Sequence, residues 1–335
     1  MKSLLYIGNK LSRHGVSVTT IETLGPLLEN EGYTVYYTSS KKNLVFRMLD
    51  MLWSIVKFRK KIDLVVIDTY STSSFWYAFL TSQLVRILKI DYLPILHGGN
   101  LPDRLRNNPR LCKMLFGNAC KNAAPSNYLL HHFELNGFNN TVFIPNAIEI
   151  DNYTFKERKT VAPHLLWVRS FAKIYNPNMA VEVLQQLRES YPEASLCMVG
   201  PDKDGSMEAT KMLAAEYGLE VIFTGKLSKK EWTALSENYS IFINTTHFDN
   251  TPVSIMEAMA LGLPVISTNV GGIPYLLKDA DDALLVHDNS VDQMVAAITT
   301  LCENEILVQT LSRNARAKAE SFDWSNVKKL WKDII

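Results

Sequence analysis

Nowhere in the sequence do apolar residues run for the ~18–20 positions that a membrane-spanning helix needs, so no transmembrane segment is expected. Cysteine is scarce. Cys112, Cys120, Cys197 and Cys302 show neither C-x-x-C pairing nor regular spacing, which excludes a disulfide scaffold and suits small core residues in a reducing compartment. Neither sign of charge dominates, with 35 basic and 34 acidic residues. There is no low-complexity tract or repeat period, and no basic cluster interleaved with aromatics of the kind nucleic-acid modules carry, so no nucleic-acid partner is expected. No histidines, cysteines and acids stand at metal-ligand spacing, and serine, histidine and acid follow no recognisable triad order. The opening "MKSLLYIGNK" is too short for a secretory signal and reads as a strand. The expectation is a cytoplasmic protein, soluble or peripherally bound at the inner face of a membrane.

What is present is alternation. Short β-rich apolar runs recur at 4–8, 34–39, 63–68, 92–97, 122–126 and 141–145, and again at 164–170, 195–200, 221–225, 241–246, 263–268 and 283–287, with helical patterns between them. That order argues for parallel sheets covered by helices on both faces. At 335 residues the chain exceeds the ~250–300 that one core supports, and a charged, strand-free segment at 149–163 divides the two series. The fold class expected is α/β, two Rossmann-like doubly wound domains facing a cleft. Their spans are 1–157 and 158–318, with 319–335 as a helix crossing back on Trp324 and Trp331. The halves differ in charge, 17 basic and 10 acidic residues up to 150 against 18 and 24 beyond. An anionic partner of the first half and ordinary solvated charge both account for this.

Ligands in such sheets bind beyond the carboxyl ends of strands, and the conspicuous polar residues fall there. In "HFDNTPVSIMEAMALGLPVISTNVGGIPYLL" a strand ends in a loop with Asp249, and a helix follows with Thr251 as N-cap and Pro252 at its first position. Glu257 sits inside that helix, and Gly271 and Gly272 follow the next strand. The helix start at Thr251, Pro252, Val253 and Ser254 offers free amides and a partial positive charge, suited to phosphate. Glu257 and Asp249 suit hydroxyls. A solvated helix acid and a turn-forming Asp-Asn pair account for the same spacing, and both readings stay open from spacing alone. Arg169 and Lys173 follow the strand "LLWV", two cations that suit a diphosphate or simply the surface. "LPILHGGN" ends a strand in His97, Gly98, Gly99 and Asn100, and "GNKLSRHGVS" places Gly8, Arg13, His14 and Gly15 after the first strand.

The run from Asp249 to Leu277 resembles the nucleotide-sugar signature of retaining glycosyltransferases of family 4 (glycosyl transferases group 1), which have the GT-B fold. It has an acid, seven residues, Glu257, then "EAMALGLPV" and a glycine pair; the family usually has Glu where Asp249 stands. The resemblance implies metal-independent transfer of a sugar from a nucleoside diphosphate sugar, uridine or guanosine based, to a hydroxyl of a glycan or lipid-linked acceptor, with no further cofactor. It maps ribose recognition onto Glu257, diphosphate recognition onto Arg169 and Lys173 (closer together than the family commonly has them), and a sugar contact onto His97. Gly15 falls in the family's acceptor loop, reduced here from a glycine pair, and Arg13, Arg104, Arg106 and Arg110 would meet the acceptor. A GT-B-like epimerase and a non-catalytic sugar-nucleotide sensor are the rival readings. "DKD" (202–204) and "DAD" (279–281) sit in turn contexts and call for no cation. The helix at 41–61 reads as buried, with a polar strip of Asn43, Arg47, Asp50, Ser54 and Lys57. The basic ends Lys41, Lys42, Arg59, Lys60 and Lys61 allow weak peripheral contact with anionic lipid.

Overall fold

The computed structural model describes residues 2–12 and 19–335. It divides into two compact units, Met1–Pro145 with Lys328–Ile335, and Asn146–Val327. The first holds β1 (Ser3–Ile7), α1 (Thr20–Asn30), β2 (Thr34–Thr38), α2 (Leu44–Phe58), β3 (Leu64–Tyr70), α3 (Phe75–Ile87), β4 (Asp91–His97), α4 (Leu101–Asn107), α5 (Pro109–Phe116), β5 (Asn122–Ala124), α6 (Asn127–Leu135) and β6 (Thr141–Phe143). The second holds β7 (His164–Val168), α7 (Pro177–Leu187), β8 (Ser195–Val199), α8 (Ser206–Glu216), β9 (Val221–Gly225), α9 (Lys229–Leu235), β10 (Ile241–Asn244), α10 (Val253–Ala260), β11 (Val265–Thr268), α11 (Ile273–Leu276), β12 (Leu284–Val286), α12 (Val291–Glu303) and α13 (Glu305–Ser321). The last helix, α14 (Trp324–Ile334), begins in the second unit and ends in the first.

Each unit is built on a six-stranded sheet, ordered β2-β1-β3-β4-β5-β6 and β12-β11-β10-β7-β8-β9, with parallel neighbours throughout. The near-continuous apolar strands follow from burial on both faces. In the second sheet Leu165, Trp167, Leu196, Met198, Ile241 and Ile243 enter one core, while Leu166, Cys197, Val199 and Phe242 enter the other.

The strand-free segment 149–163 packs into the second unit. Tyr153 and Arg158 are buried, and the Arg158 guanidinium donates to the carbonyls of Leu261 and Tyr239 at 3.1 and 3.3 Å, closing the end of α10. Burial pulls its pKa down to about 10.

The expectation for α2 is overturned. The helix is not buried all round: Arg47, Met51, Ser54 and Ile55 face inward, and Val45, Phe46, Leu49 and Trp53 face solvent. Of the polar strip, Arg47 and Ser54 turn inward, while Asn43 and Lys57 stay exposed. Arg47 donates to the carbonyls of Lys41 and Lys42 and to Asn9 Oδ1, at 2.7 to 3.0 Å, and Asp50 accepts from Thr38. Asn43 caps the helix through the Val45 and Phe46 amides.

In the first unit, Lys328 and Lys332 of α14 flank Glu31 at 2.9 and 2.7 Å, with Trp331 and Ile335 buried beside them. Hydrogen bonds from Lys332 and Lys328 bring the Glu31 pKa down to about 2. A carboxyl whose pKa is lowered on folding contributes stability above its usual range, and that contribution disappears as pH falls toward the lowered value. Glu31→Gln is therefore expected to unfold at lower urea than the parent chain at pH 7, the gap closing between about pH 4.5 and 2. Urea midpoints across that range check it.

Candidate functional site

In the second sheet the strand order reverses between β7 and β10, the switch point where doubly wound sheets bind ligands. Arg169 follows β7 directly. Its backbone runs alongside the end of β8, the Arg169 amide donating to the Val199 carbonyl at 3.0 Å. Only glycine fits at position 200: φ is +151°, and a Cβ would lie 1.8 Å from the Arg169 carbonyl oxygen. The Arg169 guanidinium pairs with the Asp249 carboxylate from the loop after β10, and stacks 4.3 Å above the Tyr175 ring. Asp249 Oδ1 also accepts from the Asn250 amide at 2.8 Å. Burial pushes the Asp249 pKa up and the Arg169 charge opposes the rise. The Lys203 ammonium, 5.9 Å from the Tyr175 ring centre, shares this corner; burial and the nearby Arg169 lower its pKa.

Gly271 and Gly272 hold the Asp249 loop in place. The Gly272 amide donates to the Asp249 carbonyl at 2.8 Å, and a Cβ at 272 would lie 1.9 Å from the Asn250 carbonyl oxygen. The room that these glycines leave is filled by the chain's own backbone.

Pro252, not Thr251, occupies the cap position of α10, because the first turn closes on the Pro252 carbonyl, which accepts from Ile255 at 3.2 Å. The Thr251 hydroxyl, expected to cap the helix, is instead buried with no partner. Ser254 Oγ and Arg169 Nε are in the same condition among the described residues. One turn on, Glu257 is 4% exposed. Its Oε1 accepts from the Tyr153 hydroxyl at 2.7 Å and meets the Lys229 ammonium at 3.0 Å. Burial and the Glu257 charge raise the Tyr153 pKa, keeping that hydroxyl a donor.

In the first unit, His97 ends β4 and its Nε2 lies 2.9 Å from Asp68 Oδ1, an oxygen that also accepts from Tyr6 at 3.1 Å. A carboxylate only accepts, so Nε2 carries the proton. Tyr70 stacks on the imidazole at 4.9 Å. Asp68 Oδ2 is buried without a partner, and the end of β1 comes so close that a Cβ on Gly8 would lie 2.5 Å from it. Gly98 follows with φ +87°, and Gly99 and Asn100 complete the turn into α4.

The structure thus joins Arg169 to Asp249, and sets Thr251, Pro252, Val253, Ser254 and Glu257 along one helix start. Lys173 is exposed, its amide bonded to Asp204 at 3.0 Å. Arg104 is committed to the Ser71 carbonyl and Asn108, and Arg106 to Asp103. Gly15, Arg13 and His14 lie outside the described residues. The aspartates of "DKD" cap the start of α8 through the Gly205 and Ser206 amides, and Asp279 of "DAD" accepts from the Leu285 amide. Sequence reasoning passed over Asp68, Tyr153, Lys203 and Lys229. An acid closing the apolar strand "DLVVID" was the available signal for Asp68; nothing local marks Tyr153 or Lys229, which reach Glu257 only through tertiary packing.

Gly272→Ala is expected to lower the unfolding free energy by about 1–3 kcal/mol, the range for overpacking a filled site. Gly137→Ala, with nothing within 4 Å of its Cβ, meets only its own φ of +82° and costs less. Chemical denaturation of the two variants decides it.

Comparison with known proteins bears on the same residues. The family described as "Glycosyl transferases group 1" matches residues 150–318, just over half of the chain. The chain is similar to the sulfoquinovosyl transferase SQD2 of Arabidopsis thaliana, 24% identical over 148 residues that cover 43% of this chain and 28% of that protein. An uncharacterized glycosyltransferase of Haemophilus influenzae is 26% identical over 203 residues, 59% of this chain and 55% of that one. The chain therefore spans between about a quarter and a half of the length of these curated relatives. Among solved structures, a sucrose-phosphate synthase from Thermosynechococcus elongatus superposes with a TM-score of 0.80 at 15% identity, over 100% of this chain and 99% of the other. Anabaena HepE in complex with UDP-glucose gives 0.78 at 16% identity, over 99% of each. With the matched span enclosing both the switch-point arginine and the whole of α10, and the fold shared along the full chain, this protein belongs to the glycosyl transferases group 1, glycosyltransferases of the GT-B fold.

Proposed function

We propose that the protein transfers a hexose from a nucleoside diphosphate sugar, uridine or guanosine based, to a hydroxyl of a glycan or lipid-linked acceptor. The anomeric configuration is kept, no metal or further cofactor takes part, and the product is bacterial surface polysaccharide or glycolipid. The work is done in the cytoplasm on an acceptor at the inner face of the membrane. One observation carries this reading: three buried polar atoms without partners, Arg169 Nε, Thr251 Oγ1 and Ser254 Oγ, belong to residues at the switch point and the start of α10. Buried polar groups are nearly always satisfied, and a diphosphate would satisfy these. Solved HepE complexes with UDP and with UDP-glucose support the donor class.

On this reading Arg169 grips a phosphate oxygen while Lys203 adds charge, and Lys173 reaches in when donor arrives. Both Asp249 oxygens are engaged by Arg169 and the Asn250 amide, so Asp249 acts as a positioning residue that aims the guanidinium. Both bonds to Glu257 fall on Oε1, and Oε2 serves the ribose hydroxyls. Cations and helix-start amides that bind the leaving diphosphate more tightly as its charge grows lower the barrier. In a retaining transfer the attacking hydroxyl gives its proton to the departing phosphate. The Nδ1 of His97 takes a sugar hydroxyl.

A thermal-shift screen of nucleoside diphosphates and their sugars should reveal one preferred base. With acceptor present, free nucleoside diphosphate is released, EDTA does not stop it, and NMR finds the anomeric configuration retained. Glu257→Ala weakens nucleotide binding about ten- to a hundredfold, the worth of one charge-assisted hydrogen bond. Arg169→Ala lowers turnover by roughly 10²–10³. Normal turnover in Arg169→Ala together with normal binding in Glu257→Ala overturns the assignment.

A further inference from the structure

The outer face of α2 has no use in the transfer chemistry, and it breaks the usual rule for a surface helix. Leu44, Val45, Phe46, Leu49 and Trp53 are each between 55% and 66% exposed, while the helix turns a buried arginine and serine to the core. Phe46, Leu49 and Trp53 line an open groove of about 530 Å³ together with Lys41, Lys42, Asn43 and Asp50. Lys57 in the last turn of the helix and Arg59, Lys60 and Lys61 beyond it are exposed. Between 41 and 61 Asp50 is the one acid, against seven basic residues.

We propose that this face docks on the anionic headgroup layer of a lipid bilayer. Fifteen residues make a rod of about 22 Å, apolar along its outer side and cationic at both ends, the layout of a helix lying in the plane of a membrane surface. Tryptophan favours that boundary. Charge decides against the other obvious occupant, a second copy of the chain. Paired antiparallel about a two-fold axis, α2 sets Lys41 and Lys42 against the partner's copies of the basic residues at 59–61. Paired parallel, it sets each cationic end against itself. An anionic sheet neutralises both ends at once. The Lys41–Lys42 turn is held for this by Arg47, whose guanidinium is bonded to both carbonyls and leaves the two ammonium groups outside.

The inference shares with the proposed function only the bilayer setting, and its test involves neither donor nor transfer. The chain is sedimented with vesicles of phosphatidylcholine alone and of phosphatidylcholine mixed with phosphatidylglycerol. Mixed vesicles should bind at least about tenfold more, with the difference shrinking as salt rises. Trp53→Glu and Phe46→Glu should each reduce binding about tenfold or more. Replacing Lys41, Lys42, Lys60 and Lys61 together by Gln should remove most of the salt dependence. Ile306→Glu, at a residue 79% exposed on α13, is the control and leaves binding unchanged. Thermal melts identify any variant that misfolds, and Phe46→Glu stands in for Trp53→Glu if that one does. Equal binding to neutral vesicles, no effect of either glutamate, or a dimer in sedimentation velocity that Trp53→Glu dissociates would each overturn the proposal.

Discussion

The pair between Arg169 and Asp249 is the constraint around which the second unit is arranged. A guanidinium at a strand end is ordinarily free to swing. Here the strand-end backbone is pressed against Gly200, the carboxylate arrives on a loop clamped by Gly271 and Gly272, and Tyr175 lies under the charge. Three separate backbone approaches, each too close for a side chain, converge on one ion pair. On the proposed reading, preorganisation of this kind aims the charge before a ligand arrives, so that ordering it costs nothing at the moment of reaction.

The same logic explains how Glu257 survives in a helix otherwise filled with Ile255, Met256, Ala258, Met259 and Ala260, all buried. An isolated carboxylate there would be expensive. Tyr153 and Lys229 lower that cost, and the tyrosine comes from the strand-free segment that leads into the second unit. The segment is therefore part of the site's support. In the first unit Asp68 does the corresponding work for His97, fixing which nitrogen carries the proton.

Sequence carried the architecture well, because a parallel sheet buried on both faces favours short apolar strands, and β1 through β12 each fall on one of the β-rich runs. The strand-end and helix-start positions of Arg169, Asp249 and Glu257 were legible as local signals, while their roles came from the family resemblance. Other features depended on what the fold brings together. Lys203 sat inside a D-x-D string and drew the eye to its aspartates; Tyr153 lay in a stretch with no periodicity. The expected burial of α2 fails for a related reason. Projection on a wheel shows which residues share a side but not which side finds partners, and the bonds of Arg47 to Lys41, Lys42 and Asn9 hold that arginine inward.

The route of the chain has a consequence for how it is made. Trp331 and Ile335 are buried in the first unit, beside residues near its start. A ribosome delivers those two positions only after the entire second unit, so the first body emerges with a gap in its packing and waits for the rest. Apolar surface left uncovered through that interval is a hazard of aggregation during synthesis. The second unit, whose own stretch of chain is continuous, can close before the first one does.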